Sequence, residues 1–250
     1  MAHYELWIDG ISSEQVGVVI TSELKLSAPI PRVETFEIEG RNGALHVADG
    51  TFENRIATVT AYLYSDGDVK EKIAAVQDWL LNGTKRKIVH SEDLGHYIEG
   101  VITNGVEIST RLNKMQPFTI EFDCSPQRFI NEQSADIEIT ASGQIVYNHT
   151  KYEAFPVYKL YRGAQIIETG FYTKVSVGAN TVLFGGLAPS SVYIYDSEIG
   201  AIFSDGITVS ERPYINFASE RLSLKDGASV VEFSTEHFDK IIITPRWWEL

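Results

Sequence analysis

The sequence has a single cysteine, Cys124, so no disulfide can form within the chain. It also lacks long apolar runs, and the longest fall far below the roughly 20 residues that span a bilayer. Basic residues are scarce, with 21 Lys and Arg against 34 Asp and Glu, which gives a net charge of −13. Because basic side chains neutralise phosphates, this balance argues against general nucleic-acid binding and against docking on an anionic membrane. The first residues, MAHYELWIDG, show no signal-peptide pattern, so we expect a soluble protein made in the cytoplasm.

Motifs of the common enzyme classes are also missing. The sequence contains no P-loop, dinucleotide-binding glycine pattern, nucleophile elbow or zinc-protease motif. The nearest approach to a metal cluster is HSEDLGH at residues 90–96, and its spacing fits no common zinc pattern. No two carboxylates are paired by spacing for acid–base chemistry. We therefore expect no catalytic, metal or cofactor site, and favour a binding or assembly role over an enzyme.

Short stretches typical of β-strands fill most of the chain. IATVTAYLY at residues 56–64 is rich in β-branched and aromatic side chains. In PFTIEFDC at residues 117–124, apolar and polar side chains alternate, which predicts a half-buried strand with Cys124 as a buried structural thiol. In the second half, short strand candidates are separated by Gly, Pro, Asn and Asp, a spacing typical of a sandwich or a barrel.

One segment has the periodicity of a helix. Apolar side chains recur at helical spacing from Val69 to Leu80, with Trp79 beside them. Asp68 is a suitable residue for the N-cap. We predict an amphipathic helix over residues 68–82.

A polar stretch with a proline, PQRFINEQSAD at residues 126–136, marks a break between two parts of the chain. We therefore predict a mainly β protein with two domains. Residues 1–130 form a β-barrel-like domain that contains the helix, and residues 131–250 form a β-sandwich.

The segment EGRNGALHVADG at residues 39–50 contains two strong turn dipeptides, Asn42-Gly43 and Asp49-Gly50. One interpretation is a surface turn between two strands. The other is a functional loop that presents Arg41 to a partner. The residues alone leave both open.

The last residues, TPRWWEL, contain two adjacent tryptophans, Trp247 and Trp248, which could stack on sugar rings. Neighbouring side chains in a strand point to opposite faces, so at most one of them would face a given ligand. The other would lie in the core or in an interface. A weak sugar or partner contact at this end is the alternative to a purely structural role.

The order of these segments resembles the distal tail protein family of long, non-contractile-tailed bacteriophages. In the first half the resemblance rests on a glycine-rich turn, a strand entry, a helix ending in Trp-Leu and a strand closing in Cys-Ser-Pro. These segments are GRNG (40–43), ADG (48–50), FENRIATV (52–59), IAAVQDWL (73–80) and FTIEFDCSP (118–126). A looser match follows in FPVYKLY (155–161), VYIYDSEIG (192–200), LSLKDGASVVEF (222–233) and IIITPRWWEL (241–250).

This resemblance implies a structural, non-enzymatic protein at the distal end of a phage tail, made in the host bacterial cytoplasm. Family members form a homohexameric ring from their N-terminal domains, as one ring or as two rings back to back. Galectin-like C-terminal β-sandwiches project from the ring. The ring joins the tail tube to the tail-associated lysin or tip protein and to receptor-binding protein, and DNA crosses the lumen only in transit.

Under this resemblance the glycine-rich turn lies in the ring-forming domain. We therefore expect Arg41, Asn42, Gly43 and Arg55 to contribute to a contact between subunits, with the two arginines facing acids of a neighbour. The alternative function is a carbohydrate-binding module that recognises the bacterial cell surface through the C-terminal sandwich.

Overall fold

The computed structural model describes residues 4–64, 69–81, 85–104, 115–131, 135–165, 172–205, 214–217 and 220–250. The chain divides into two compact units, Met1–Asn131 with Leu250, and Glu132–Glu249. Regular structure in the described part is almost entirely β, with one helix, which confirms the predicted mainly β fold class. No helix in these ranges is long and apolar enough to cross a membrane.

The described part of the first unit contains eleven strands and a helix. They are β1 (Leu6–Ile8), β2 (Ile11–Ser12), β3 (Val18–Ile20), β4 (Lys25–Leu26), β5 (Pro31–Phe36), β6 (Leu45–Phe52), β7 (Arg55–Tyr64), α1 (Val69–Leu80), β8 (Arg86–His90), β9 (Asp93–Ile102), β10 (Met115–Cys124) and β11 (Arg128–Ile130).

Nine of these strands belong to one antiparallel sheet that curls on itself. Its order is β2-β1-β8-β9-β10-β7-β3, with β4 beside β7 and β11 beside β9. The two ends of the sheet meet through Tyr4, whose amide donates to the Ile20 carbonyl at 3.2 Å. The sheet thereby forms the wall of a barrel-like unit, and closure removes unpaired strand edges.

The core of this unit comes from the alternation of buried and exposed side chains along its strands. Every second described side chain of β7 and β10 is buried: Ala57, Val59, Ala61, Leu63, Phe118, Ile120, Phe122 and Cys124. The predicted strand at residues 117–124 is therefore confirmed with the expected inner face. Burying such side chains stabilises the fold by about 1.5–3 kcal/mol for each large one.

The helix closes the core, as its apolar spacing predicts. Val76, Trp79 and Leu80 are buried against the sheet, and Trp79 Nε1 donates to the Ile11 carbonyl at 3.2 Å. The predicted cap, Asp68, lies outside the described residues.

Cys124 is fully buried, and this burial raises the pKa of its thiol to about 12. It pairs with Gly100 on β9. A methyl group on Gly100 would stand 2.6 Å from the Cys124 sulfur and 2.8 Å from the Asp123 carbonyl oxygen. The two strands can approach this closely only because Gly100 carries no side chain.

We expect Gly100→Ala to lower the free energy of unfolding by about 1–3 kcal/mol, the typical cost of an overpacked core. Gly95→Ala on the same strand is the matched control, because its added methyl group would meet its nearest atom at 3.6 Å. Denaturant unfolding of both variants measures the difference. Equal stability of the two would show that β9 and β10 can separate at little cost.

The second unit contains eleven strands in its described part. They are β12 (Ile137–Ile139), β13 (Gln144–Asn148), β14 (Val157–Arg162), β15 (Thr173–Val177), β16 (Asn180–Gly185), β17 (Val192–Asp196), β18 (Ala201–Ser204), β19 (Tyr214–Phe217), β20 (Gly227–Phe233), β21 (Phe238–Thr244) and β22 (Trp248–Glu249).

Ten of these strands form two antiparallel sheets of five, in the orders β12-β21-β14-β17-β18 and β13-β20-β15-β16-β19. Their buried faces meet in one core, where the rings of Phe184 and Tyr195 contact edge to face at 5.2 Å between centroids. Phe233 and Phe238 make a second such contact between the sheets, at 6.3 Å. Two sheets packed face to face in this way are a β-sandwich, the predicted fold of the second half.

Candidate subunit interface

An arm of two strands extends outside the barrel sheet. It consists of β5 and β6, which pair with each other and with no other strand in the described part of the chain. Every residue of β5 is exposed, and so is every residue of β6 except Phe52. An isolated pair of strands is at best marginally stable in water. The arm is therefore a segment that a partner would stabilise.

Pairing across the arm sorts its side chains onto two faces. Phe36 lies opposite Leu45, and Glu34 lies opposite Val47, so these four share one face. Phe36, Leu45 and Val47 are 47%, 37% and 45% exposed, and together they form what we call the apolar face of the arm. Contiguous apolar side chains in solvent mark sites of protein interaction.

The opposite face of the arm is more polar. It contains Thr35 and His46, which are linked by a 3.1 Å hydrogen bond between Oγ1 and Nδ1. Val33 and Ala48 form the neighbouring pair on this face, and Val33 is as exposed as Phe36. Val33 therefore offers a matched control for any test of the apolar face.

The tip of the arm contains the glycine-rich turn. The Arg41 amide donates to the Ile38 carbonyl at 3.1 Å, so the hydrogen-bonded turn is centred on Glu39-Gly40. Gly40 has a φ of +78°, which suits the third position of a type II turn. Asn42 and Gly43, the dipeptide expected to form the turn, follow it as a bend. Arg41, Asn42 and Gly43 are all exposed at the tip.

Arg55 lies in a different setting from Arg41. It begins β7 opposite Cys124 and is only 5% exposed, and burial lowers the pKa of its guanidinium. Its Nε and Nη2 atoms have no hydrogen-bond partner within the described residues. The structure thus places one expected interface arginine on the arm tip and the other inside the subunit, and does not bring them together.

The two C-terminal tryptophans also differ in exposure. Trp247 is only 3% exposed, whereas Trp248 is partly exposed. The Trp248 ring stacks on Tyr152 at 4.3 Å between centroids, and its Nε1 donates to the Glu153 carbonyl at 2.9 Å. Trp247 has almost no surface for a sugar ring, and Tyr152 already covers one face of Trp248.

A groove of about 190 Å³ opens in the wall of the barrel unit. We call it the barrel groove, and its apolar lining is Leu24, Leu26, Ile88, Tyr97 and Ile98. Ile88 and Ile98 are buried, and the other three are partly exposed. Leu24 and Leu26 come just before the arm in the chain.

Five polar side chains also line the barrel groove, namely His90, Glu92, Asp93, His96 and Arg128. His96 Nδ1 lies 2.9 Å from Asp93 Oδ1, and Arg128 Nη1 lies 4.0 Å from the other oxygen of Asp93. The histidines of the HSEDLGH segment are therefore engaged separately, His90 in the interior and His96 with Asp93. Across the described ranges, no three His, Cys, Asp or Glu side chains lie together as a metal site would require.

His90 lines the barrel groove and is only 4% exposed. Its Nδ1 accepts a hydrogen bond of 3.3 Å from the Glu92 amide. Burial lowers the pKa of His90 below 6.5, although the Ser22 carbonyl and the carboxylates of Glu92 and Glu23 act in the opposite direction. His90 is therefore neutral in the folded protein near neutral pH.

This burial predicts a dependence of stability on pH. Below about pH 6.5 the unfolded chain takes up a proton at His90 more readily than the folded chain, so the free energy of unfolding should fall as pH falls. We expect His90→Gln to reduce this loss between about pH 6.5 and pH 5, above the range where carboxylates titrate. Denaturant unfolding across this range measures the slope. An unchanged slope in the variant would assign the pH dependence to other groups.

The contact expected from the sequence, at Arg41, Asn42, Gly43 and Arg55, did not include the apolar face of the arm. The sequence does contain the pattern of a strand there, since Leu45 and Val47 alternate with His46 and Ala48. The turn dipeptides on both sides of this pattern favoured the interpretation of the segment as a loop. Which side chains share a face depends on pairing with β5, and the sequence does not state that register.

Comparison with known proteins gives a family match for part of the chain and a fold match for nearly all of it. Residues 14–124 match the phage tail protein RIFT-related domain family. No curated protein matches the chain significantly.

Two solved structures share the fold of nearly the whole chain. The crystal structure of the Dit protein of phage SPP1, described as a paradigm of the hub adsorption apparatus in phages that infect Gram-positive bacteria, is 12% identical with a TM-score of 0.59, and covers 99% of both chains. The phage p2 baseplate in its activated conformation with Sr contains a chain that is 10% identical with a TM-score of 0.58, covering 96% of this chain and 97% of that one. At these identities the likeness concerns the fold.

The resemblance found in the sequence is thus confirmed on two levels, since the family match covers the barrel unit and the structural matches cover both units. Residues 14–124 match the phage tail protein RIFT-related domain family, and the whole chain shares the fold of the Dit protein of phage SPP1.

Proposed function

We propose that this protein is the structural hub of a bacteriophage or prophage tail tip or baseplate. Copies of the chain form a hexameric ring, as one ring or as two rings back to back. The ring joins the tail tube to the tail-associated lysin or tip protein and to receptor-binding protein. The role is structural rather than enzymatic, and its place is the distal end of the tail in the virion. The family match over the barrel unit and the fold of both units support this proposal.

The arm is the observation that carries the proposal of a ring. A single subunit leaves Phe36, Leu45 and Val47 in solvent on a pair of strands that has little support of its own. These side chains are already more than half covered, so covering their remaining exposed area would contribute roughly 1 kcal/mol each. In a closed ring, each subunit would cover the arm of its neighbour, so every arm would gain this stabilisation.

The charge of the chain suits the passage of DNA through the lumen. With a net charge of −13, the protein offers little attraction to the phosphate backbone. A polyanion can then slide through without being held. DNA is accordingly a molecule in transit, not a bound partner.

The carbohydrate-binding alternative has less support from the second unit. Trp247 is buried, and Trp248 has one face against Tyr152. The remaining surface of Trp248 is a small contact for a sugar or a partner protein. A ring-forming hub therefore accounts for more of the exposed features than a cell-wall binding module does.

The first test of the ring is a charge on the apolar face of the arm. Phe36→Asp should shift the purified protein from ring to monomer, because the carboxylate would lose its hydration in the contact. Light scattering after size-exclusion chromatography gives the mass. Val33→Asp is the control, since Val33 is equally exposed on the opposite face of the arm.

The control variant should keep the mass of the wild type. A ring that forms equally well with Phe36→Asp would contradict a contact through the apolar face. A wild-type protein that stays monomeric at high concentration, alone and with tail tube protein, would contradict the hub itself.

A second test concerns Arg41 at the arm tip. If Arg41 pairs with an acid of the neighbouring subunit, Arg41→Ala should weaken assembly by a few-fold, the usual scale of an exposed ion pair. It should also reduce the sensitivity of assembly to salt, because salt screens the lost attraction. Lys174→Ala, an exposed cation on β15 of the second unit, is the control. Assembly of Arg41→Ala at wild-type strength and with wild-type salt dependence would place Arg41 in solvent.

A further inference from the structure

We propose that Asn42, at the tip of the arm, is a site of spontaneous chemical modification at which the side-chain amide is converted to a carboxylate. The nucleophile is the backbone nitrogen of Gly43, the next residue in the chain. The reaction is a property of the folded subunit itself, so the inference goes beyond the proposed hub and does not depend on a ring.

Both reacting groups at the arm tip are free. Asn42 and Gly43 are exposed, and a methyl group built on Gly43 would meet nothing within 4 Å, so no side chain crowds the backbone nitrogen. Gly43 has a φ of +77°, which glycine adopts without strain. Within the described residues, neither the Asn42 side chain nor the Gly43 amide has a hydrogen-bond partner. The Gly43 nitrogen can therefore approach the side-chain carbonyl carbon of Asn42 without breaking a contact.

Another asparagine that precedes a glycine, Asn104, has the opposite setting. Its Nδ2 atom donates to the Thr119 carbonyl at 2.7 Å, and its Oδ1 atom accepts from the Glu121 amide at 2.9 Å. Its side chain can turn towards the following backbone nitrogen only after both hydrogen bonds break, so the same reaction is slower there. The pair Asn82-Gly83 lies outside the described residues.

The modification needs only water as a co-reactant. The Gly43 nitrogen forms a bond to the side-chain carbonyl carbon of Asn42, and the bond from that carbon to Nδ2 breaks. Ammonia leaves and takes the proton that the Gly43 nitrogen loses. Water then opens the cyclic imide on either side of the shared nitrogen. One product is aspartate, and the other is isoaspartate, in which the main chain runs through the former side chain.

Either product adds a negative charge to the arm tip, next to Arg41. Glu37 and Glu39 already line the same shallow concavity as Arg41. The new carboxylate offers Arg41 an acid within its own subunit. In the proposed ring it would compete with an acid of the neighbouring subunit, so the effect on assembly rests on the proposed function whereas the modification does not.

Mass spectrometry of the purified full-length protein after incubation at mildly alkaline pH tests the modification. Cleavage after glutamate separates the two sites, because the peptides of residues 40–53 and 100–107 contain one asparagine each. In the folded protein, we expect the 40–53 peptide to gain one mass unit several-fold faster than the 100–107 peptide. In denaturant the two rates should converge, because Asn104 then loses the hydrogen bonds that hold its side chain.

Asn42→Gln is the matched control variant. It keeps an amide at the arm tip, but its longer side chain would have to close a larger ring, which forms more slowly. The mass gain in the 40–53 peptide should disappear in this variant, while the 100–107 peptide should behave as in the wild type. A mass gain that persists in Asn42→Gln would assign it to another residue and contradict the inference.

Phe36→Asp, which is expected to be a single subunit, distinguishes failure of the site from failure of the ring. A faster reaction at Asn42 in this variant than in the wild type would support both the modification and an assembly that covers the arm tip. An equally fast reaction in both proteins would support the modification and contradict a contact at the tip. Reaction at Asn42 no faster than at Asn104 in both folded proteins would overturn the inference and leave the proposed hub intact.

Discussion

The long pairing of β7 with β10 supports everything else in the barrel unit. Its register runs unbroken from Arg55 opposite Cys124 to Tyr64 opposite Met115. β3 and β4 join one side of this pair and β9 joins the other, so the curvature of the whole wall depends on it. The arm also depends on it, because β6 leads directly into the start of β7. A rigid wall is what allows an otherwise unsupported arm to extend from a defined place.

This arrangement leaves apolar side chains of the single subunit in contact with solvent. The arm exposes Phe36, Leu45 and Val47, and the barrel groove leaves Leu24, Leu26 and Tyr97 only partly covered. The arm presents three apolar side chains on one face, whereas half of the groove lining is polar.

Local sequence patterns predicted much of this fold, but they could not predict contacts between segments that are distant in sequence. Alternation in residues 117–124 predicted the inner face of β10 and the burial of Cys124, and helical spacing predicted α1. The need for glycine at position 100 arises only when β9 lies against Cys124. Arg55 is likewise buried at its place opposite Cys124 on the barrel wall. The barrel groove combines segments near Leu24, Ile88 and Arg128, which no local pattern connects.

We propose that the arm makes this chain assemble into a closed ring. Negative-stain electron microscopy of the purified protein tests it most directly, because the symmetry of averaged particles is visible without any partner. The account predicts ring-shaped particles with sixfold symmetry for the wild type and dispersed single subunits for a variant with a charge on the apolar face of the arm. Single subunits for the wild type at high concentration, or identical rings for both proteins, would contradict it.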